Sequence, residues 1–291
     1  MAEYVIATDS TADLPMEMIE RFEIPVLPLM VEMGERNFMH CADYREMSAK
    51  TFYQELRSGK QARTAQVTIE TFVNAFTPIL EQGKDVLYIS LSSGLSGTYS
   101  VSKLAGNELK EKFPDRKVIS VDSLGAALGE GLLVYTAIQK QQEGMDIDTL
   151  AAWVEEHRYN LCHWFTVDDL NHLKRGGRVS AAAAIVGTAL NIKPVLHVDN
   201  EGHLIPVSKV RGRKKSLQAL VQEMQKTCTN IDQYEVFIGH GDCEEDAQAV
   251  AQMVRDIFPT VKPITIDYIG PVIGAHSGPG TVALFFFGTH R

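Results

Sequence analysis

The chain has 291 residues, 45% hydrophobic and 22% charged, and a net charge of −9. This is the balance of a globular chain of one large or two modest domains with ample core, and the acidic excess argues against a nucleic-acid-binding surface. Cysteines at 41, 162, 228 and 243 form no C-x-x-C pair and no metal-ligand spacing, "MAEYVIATDS" carries no secretion signal, and runs such as "AAAAIV" and "VALFFF" are too short to span a membrane, so a cytoplasmic protein with reduced thiols is expected.

Three segments of the first half repeat one plan. "YVIATDSTADLPMEMIERF" reads as a short apolar strand, a Ser/Thr/Asp turn and a helix with Pro15 in its first turn. "DVLYISLSSGLSGTYSVSKLAGNEL" and "KVISVDSLGAALGEGLLVYTAIQKQQEG" repeat it. Strands without polar alternation, separated by helices, predict a parallel sheet buried on both faces. Ligands of such sheets sit outside the carboxyl ends of the strands, so "TDST", "SLSSGLSG" and "VDSLG" are expected to line one crevice.

Beyond residue 157 the pattern changes. Two short helices are predicted after "FTVDDL", then a hairpin around Asp199–Gly202. The helices "KSLQALVQEMQKTC" and "DAQAVAQMVRDIF" flank the strand "YEVFIGHGD", and "PITIDYIG" and "VALFFFG" complete the chain as strands. The prediction is an α/β protein of two domains, with a Rossmann-like parallel sheet over 1–157, an α/β domain with a mixed sheet over 158–291, and the ligand between them.

Four segments carry candidate chemistry. The loop at 90–98 offers hydroxyls and backbone N–H groups at a helix N-terminus, a setting that suits a carboxylate or phosphate; serines that merely cap their own helix are the competing reading. A nucleophile elbow fails because Thr98 follows Gly94-Leu95-Ser96-Gly97, although Ser96, Asp122 and His276 stand in a Ser…Asp…His order. No phosphate loop occurs, and "GEGLLV" has Val134 where a third glycine belongs. In "HLKRGGRVSAAAAIVG", Lys174, Arg175 and Arg178 flank a Gly-Gly turn, with Ser180 placed to cap the next helix. "KVRGRKKS" gathers Lys209, Arg211, Arg213, Lys214 and Lys215 on an acidic chain; docking of an acidic protein fits it better than nucleic acid, and a solvated helix start is the plain alternative. "IGPVIGAHSGPGTVAL" places His276 and Ser277 in a Gly/Pro-rich loop between two strands, and "HGDCEED" reads as a loop and helix cap.

Taken together, "TDSTADLP", "SLSSGLSGTY", "LKRGGRVS", "RGRKKS" and "IGPVIGAHSGPG" resemble, in order, the motifs of the DegV family of bacterial fatty-acid-binding proteins. The resemblance implies a long-chain fatty acid held between two α/β domains and presented to a separate fatty acid kinase subunit that phosphorylates its carboxylate. It implies no catalysis by this chain and no cofactor beyond the bound fatty acid. The carboxylate-holding residues then map to Thr64, Ser96 and His276, with Ser93 as a further member. Arg178 is similar to the family's arginine at the phosphotransfer end, and Lys209, Arg211, Arg213 and Lys214 look like the kinase-docking patch. Two departures stand out: the family's Thr-Ser-Gln-Pro reads Thr64-Ala65-Gln66-Val67, and its Arg-Thr-Arg reads Arg211-Gly212-Arg213. A monomer is expected. A serine esterase or lipase-like hydrolase, and a lipid carrier with no kinase partner, stay open as alternatives.

Overall fold

The protein is described here from a computed structural model that covers residues 3–179 and 191–291. In chain order the first half comprises β1 (Tyr4–Asp9), α1 (Met16–Phe22), β2 (Val26–Leu27), β3 (Leu29–Met33), β4 (Arg36–His40), α2 (Ala49–Arg57), β5 (Ala62–Ala65), α3 (Ile69–Glu81), β6 (Asp85–Ser90), α4 (Thr98–Lys112), β7 (Val118–Asp122), α5 (Ala127–Gln142) and α6 (Ile147–His157). The second half comprises β8 (Leu161–Thr166), α7 (Asn171–Arg175), β9 (Ile192–Val198), β10 (Leu204–Arg211), α8 (Arg213–Thr227), β11 (Val236–His240), α9 (Glu244–Ile257), β12 (Ile264–Tyr268), α10 (Pro271–Ser277) and β13 (Val282–Phe287).

The predicted parallel sheet is present, in the order β2-β1-β6-β7. β6 is buried throughout, and alternation distributes its side chains to two cores. Val86 and Tyr88 pack with Phe72, Phe76, Ala105 and Leu109 of α3 and α4; Leu87 and Ile89 pack with the α5 and α6 side. The mixed sheet, β10-β9-β8-β13-β11-β12, is likewise two-faced. Cys162, Trp164, Leu284 and Phe286 face α8 and α9, whereas Leu161, Phe165, Ala283 and Phe285 share a core with α5. α5 therefore lies between the sheets, and from Ala127 to Ile138 it is buried nearly all round, as such a position demands. We propose the domain division at 157/158, between α6 and β8, where strand membership passes from one sheet to the other.

Sequence patterning missed a third sheet, β4-β3-β5, antiparallel and short, packed with α2 and α10. The hairpin predicted around Asp199–Gly202 is the antiparallel pair β9–β10. β10 is an edge strand, blunted by Pro206, an irregularity between Pro206 and Ser208, and the charges of Lys209 and Arg211. Of the two short helices predicted before it, α7 is present; the second, with its cap Ser180, falls outside the described residues. The predicted loop around His276 contains a helix instead. Pro271 opens α10 at a position that needs no N–H, and Gly278 at φ 81° ends it.

Candidate functional site

A cavity of about 220 Å³ next to the strand ends is walled by both halves of the chain. Leu91, Leu95 and Ser96 come from the loop after β6, Ala126 and Ala127 from the start of α5, Phe165, Ala283 and Phe285 from the second sheet, and Val272 and His276 from α10. Most of this wall is apolar. Thr64, Gln66, Ser96, Arg178, His276 and Ser277 gather where β5, the start of α4, the end of α7 and α10 meet, while His163 of β8 adds a polar group beside Phe285.

Thr64 lies on β5, opposite Val31 in the register of the third sheet. Its Oγ1 hydrogen-bonds His276 Nε2 at 2.8 Å, and either group can donate. Nδ1 of the same ring is buried without a partner, against Gly176, where a β-carbon would overlap it. Burial first, and the positive charge of Arg178 second, pull the His276 pKa down to about 4, so the imidazole is neutral at physiological pH. Arg178 donates from Nε to Leu95 O at 3.2 Å and from Nη1 to Gly176 O at 2.5 Å. Its guanidinium keeps its charge although burial lowers its pKa. Ser96 Oγ lies 3.0 Å from Thr98 Oγ1 and accepts from Thr98 N at 3.3 Å, which places its hydroxyl at the open end of α4. A neutral imidazole, two hydroxyls, a helix N-terminus and a cation at one end of an apolar cavity have the chemistry to accept an anionic headgroup on an apolar tail.

The structure thus brings Thr64, Ser96, His276 and Arg178 to one cavity. Ser93 does not join them: it is exposed, outside the cavity wall, and its N–H donates to Asp122 Oδ1 at 3.1 Å. The Ser96…Asp122…His276 order does not assemble as a relay. Asp122 Oδ1 is occupied by Ser93 N and Leu124 N, and His276 Nε2 by Thr64.

Of the three turns expected to line one crevice, only the serine loop does; "VDSLG" stops just short of the lining Ala126, and "TDST" lies behind the serine loop. Asp9 accepts from Thr11 N at 3.0 Å, Tyr88 OH at 2.6 Å and Leu91 N at 3.3 Å, so this turn braces the serine loop from behind. Thr11 Oγ1 has one proton and lies 2.5 Å from Asp9 Oδ1 and 2.9 Å from Glu130 Oε2. Both carboxyls share that one hydroxyl, and burial beside the Asp9 charge raises the Glu130 pKa well above the usual range. Gln66 and Ser277 line the polar end as well, and sequence reasoning gave neither a role. Gln66 sits against Gly97, at the start of α4.

In the basic segment, Lys209, Arg211, Lys214 and Lys215 are exposed, but Arg213 is engaged inside the fold. It pairs with Asp246 at 2.9 Å and faces Asp168 at 3.7 Å. Among the described residues no cluster of His, Cys, Asp or Glu is arranged to hold a metal ion, and no helix is long and apolar enough to cross a membrane.

Fold and cavity define a class of α/β proteins with a parallel and a mixed sheet around an enclosed apolar site. The chain belongs to the DegV family, whose profile, described as uncharacterised, matches residues 3–289. It is 48% identical over 288 residues to a DegV domain-containing protein of Clostridium perfringens, covering 99% of this chain and 98% of that one. Among solved structures it resembles a DegV lipid-binding protein of Thermotoga maritima, with a TM-score of 0.86, 30% identity and 99% coverage of both chains. A DegV family protein of Thermus thermophilus, described as fatty-acid-binding, superposes with a TM-score of 0.89 at 30% identity, covering 98% of this chain and 99% of that one.

Proposed function

We propose that this protein binds a long-chain fatty acid in the cavity and presents its carboxylate to a separate kinase subunit for acyl phosphate formation, without catalysing the transfer itself. The observation that carries the reading is the Thr64–His276 pair, 2.8 Å apart at the polar end of an otherwise apolar cavity. Fatty-acid binding by a relative of the same fold at 30% identity supports it.

The division of labour follows from magnitudes. Each buried methylene contributes roughly 0.8 kcal/mol, so a chain of about fifteen carbons supplies on the order of 12 kcal/mol before ordering costs. Each hydrogen bond to the carboxylate adds about 1.5–3 kcal/mol. The tail supplies affinity; Thr64, Ser96 and His276 supply identity and position. Arg178 stands beside the carboxylate, where charge develops when a phosphoryl group arrives. The exposed Lys209, Arg211 and Lys214 form the surface that an acidic kinase subunit would meet.

Calorimetry with a fatty acid and its methyl ester tests the headgroup reading. The acid binds more tightly if the site reads the anion; equal affinities refute it.

A further inference from the structure

Arg291 is 9% exposed, and its side chain donates to main-chain carbonyls from three places. Nε reaches Leu161 O at 3.2 Å at the start of β8, Nη1 reaches Leu124 O at 2.7 Å and Asp199 O at 2.9 Å, and Nη2 reaches Ser123 O at 3.3 Å. A buried guanidinium held by carbonyls gives up its hydration without a carboxylate bonded to it in return. Packing alone does not account for such an arrangement.

Two of the segments it ties adjoin residues that line the cavity. The loop after β7 passes through Leu124 at φ 50° and Ala127 at φ 54°, a left-handed conformation that side chains disfavour. Ala126 and Ala127 line the cavity just beyond it. The β9–β10 turn, which carries Asp199, is flanked by Val198 and Leu204, and both of these line the cavity too. A second tie fixes the same turn: Ser92 Oγ donates to Gly202 O at 2.9 Å. The fit there is close, since a β-carbon on Gly94 would stand 2.8 Å from Glu201 O.

We infer that Arg291 is a positioning residue, a clasp that joins the loop after β7 to the β9–β10 turn and keeps the acyl cavity closed around its ligand. The inference rests on the fatty-acid reading above. Loops that open to release a ligand are held by few interactions, and weakening those interactions acts mainly on the dissociation rate.

The test is stopped-flow release of a fluorescent long-chain fatty acid from the full chain, chased with excess unlabelled acid. Arg291→Ala is expected to release it about tenfold faster or more, the change that loss of one hydrogen bond to a charged group produces. Arg291→Lys, which keeps the charge but not the planar fork, restores part of the difference, and Ser92→Ala moves release the same way by a smaller factor. The preference for acid over methyl ester stays unchanged in all three. A folded Arg291→Ala protein with wild-type release overturns the clasp; if that variant does not fold, wild-type release from Ser92→Ala overturns it. Failure of the wild-type chain to bind the probe overturns the fatty-acid reading and the clasp with it.

Discussion

Thr64 and His276 stand 212 positions apart in the chain and share a 2.8 Å hydrogen bond. The contact exists because β5 pairs into the small third sheet while α10 packs against that sheet, so two motifs from opposite ends of the sequence meet at one cavity. The pairing orients a neutral imidazole toward the polar end. Thr64→Val, which keeps the shape and removes the hydroxyl, is expected to weaken fatty-acid binding by about tenfold, as is Ser96→Ala. Titration calorimetry reads both; wild-type affinity in both variants would remove these hydroxyls from the site.

Gly176 offers a test that alters no group on the proposed ligand. A β-carbon there overlaps His276 Nδ1, and the glycine's backbone is not left-handed, so the substitution introduces crowding rather than backbone strain. Gly176→Ala is expected to displace the imidazole and weaken fatty-acid binding while leaving the thermal midpoint within a few degrees of wild type. Unchanged affinity would show that the position of His276 does not matter.

The buried histidines set a direction for acid stability. His276 is held at about 4 and His40 at about 3, chiefly by burial. Unfolded histidine takes up its proton near pH 6.5, so between about pH 6.5 and 4 the unfolded chain binds more protons than the folded one. Their contribution to stability is complete above that window and is lost as pH falls through it. Urea midpoints are therefore expected to drop on acidification across the window, and His276→Gln to flatten part of the slope. A wild-type slope in His276→Gln contradicts the assignment.

Glu130 carries the opposite sign. Its carboxyl is fully buried, shares the Thr11 hydroxyl with Asp9, and has a raised pKa. Burial favours its protonated form, so Glu130 favours folding most at pH values below its unfolded pKa, and that contribution declines as pH rises toward the folded one. Glu130→Gln supplies a permanent donor at the same place. It is expected to stay folded and to raise the urea midpoint at pH 7; a lower midpoint would mean that the carboxylate is ionised in the native state.

The basic segment separates binding from presentation. Arg211→Ala with Lys214→Ala is expected to leave fatty-acid affinity unchanged, because neither residue lines the cavity. Acyl phosphate formation with the proposed kinase subunit should show a raised apparent KM for this protein, and wild-type activity in that assay should itself fall at high salt. An unchanged KM returns these residues to a solvated surface. Arg213 is left out of this test because it is bound to Asp246, so its loss would act on the fold.

Much of the architecture was legible in the residues. The repeated strand-turn-helix plan forecast the parallel sheet, and the change of pattern after residue 157 forecast the mixed one. Contacts made at long range were not legible. "TDST" has the composition of a ligand-binding turn, and only Tyr88, 79 positions from Asp9, and Glu130, 119 positions from Thr11, turn it into a brace. β5 is four residues long and half exposed, so neither length nor alternation betrays it; Thr64 entered through the family resemblance. Arg213 is indistinguishable from its neighbours in sequence, and the carboxylates that claim it lie 33 and 45 positions away. Arg291 gave no local signal, since its partners are main-chain carbonyls from distant segments.

The central claim is that the cavity holds a fatty acid by its carboxylate. Native mass spectrometry of the purified chain, followed by extraction and identification of the bound species, tests it most directly. The expected result is a one-to-one adduct identified as a long-chain fatty acid, with lower occupancy in the Thr64→Val, Ser96→Ala double variant. A wild-type chain that carries no lipid and takes up none when a fatty acid is supplied would contradict it.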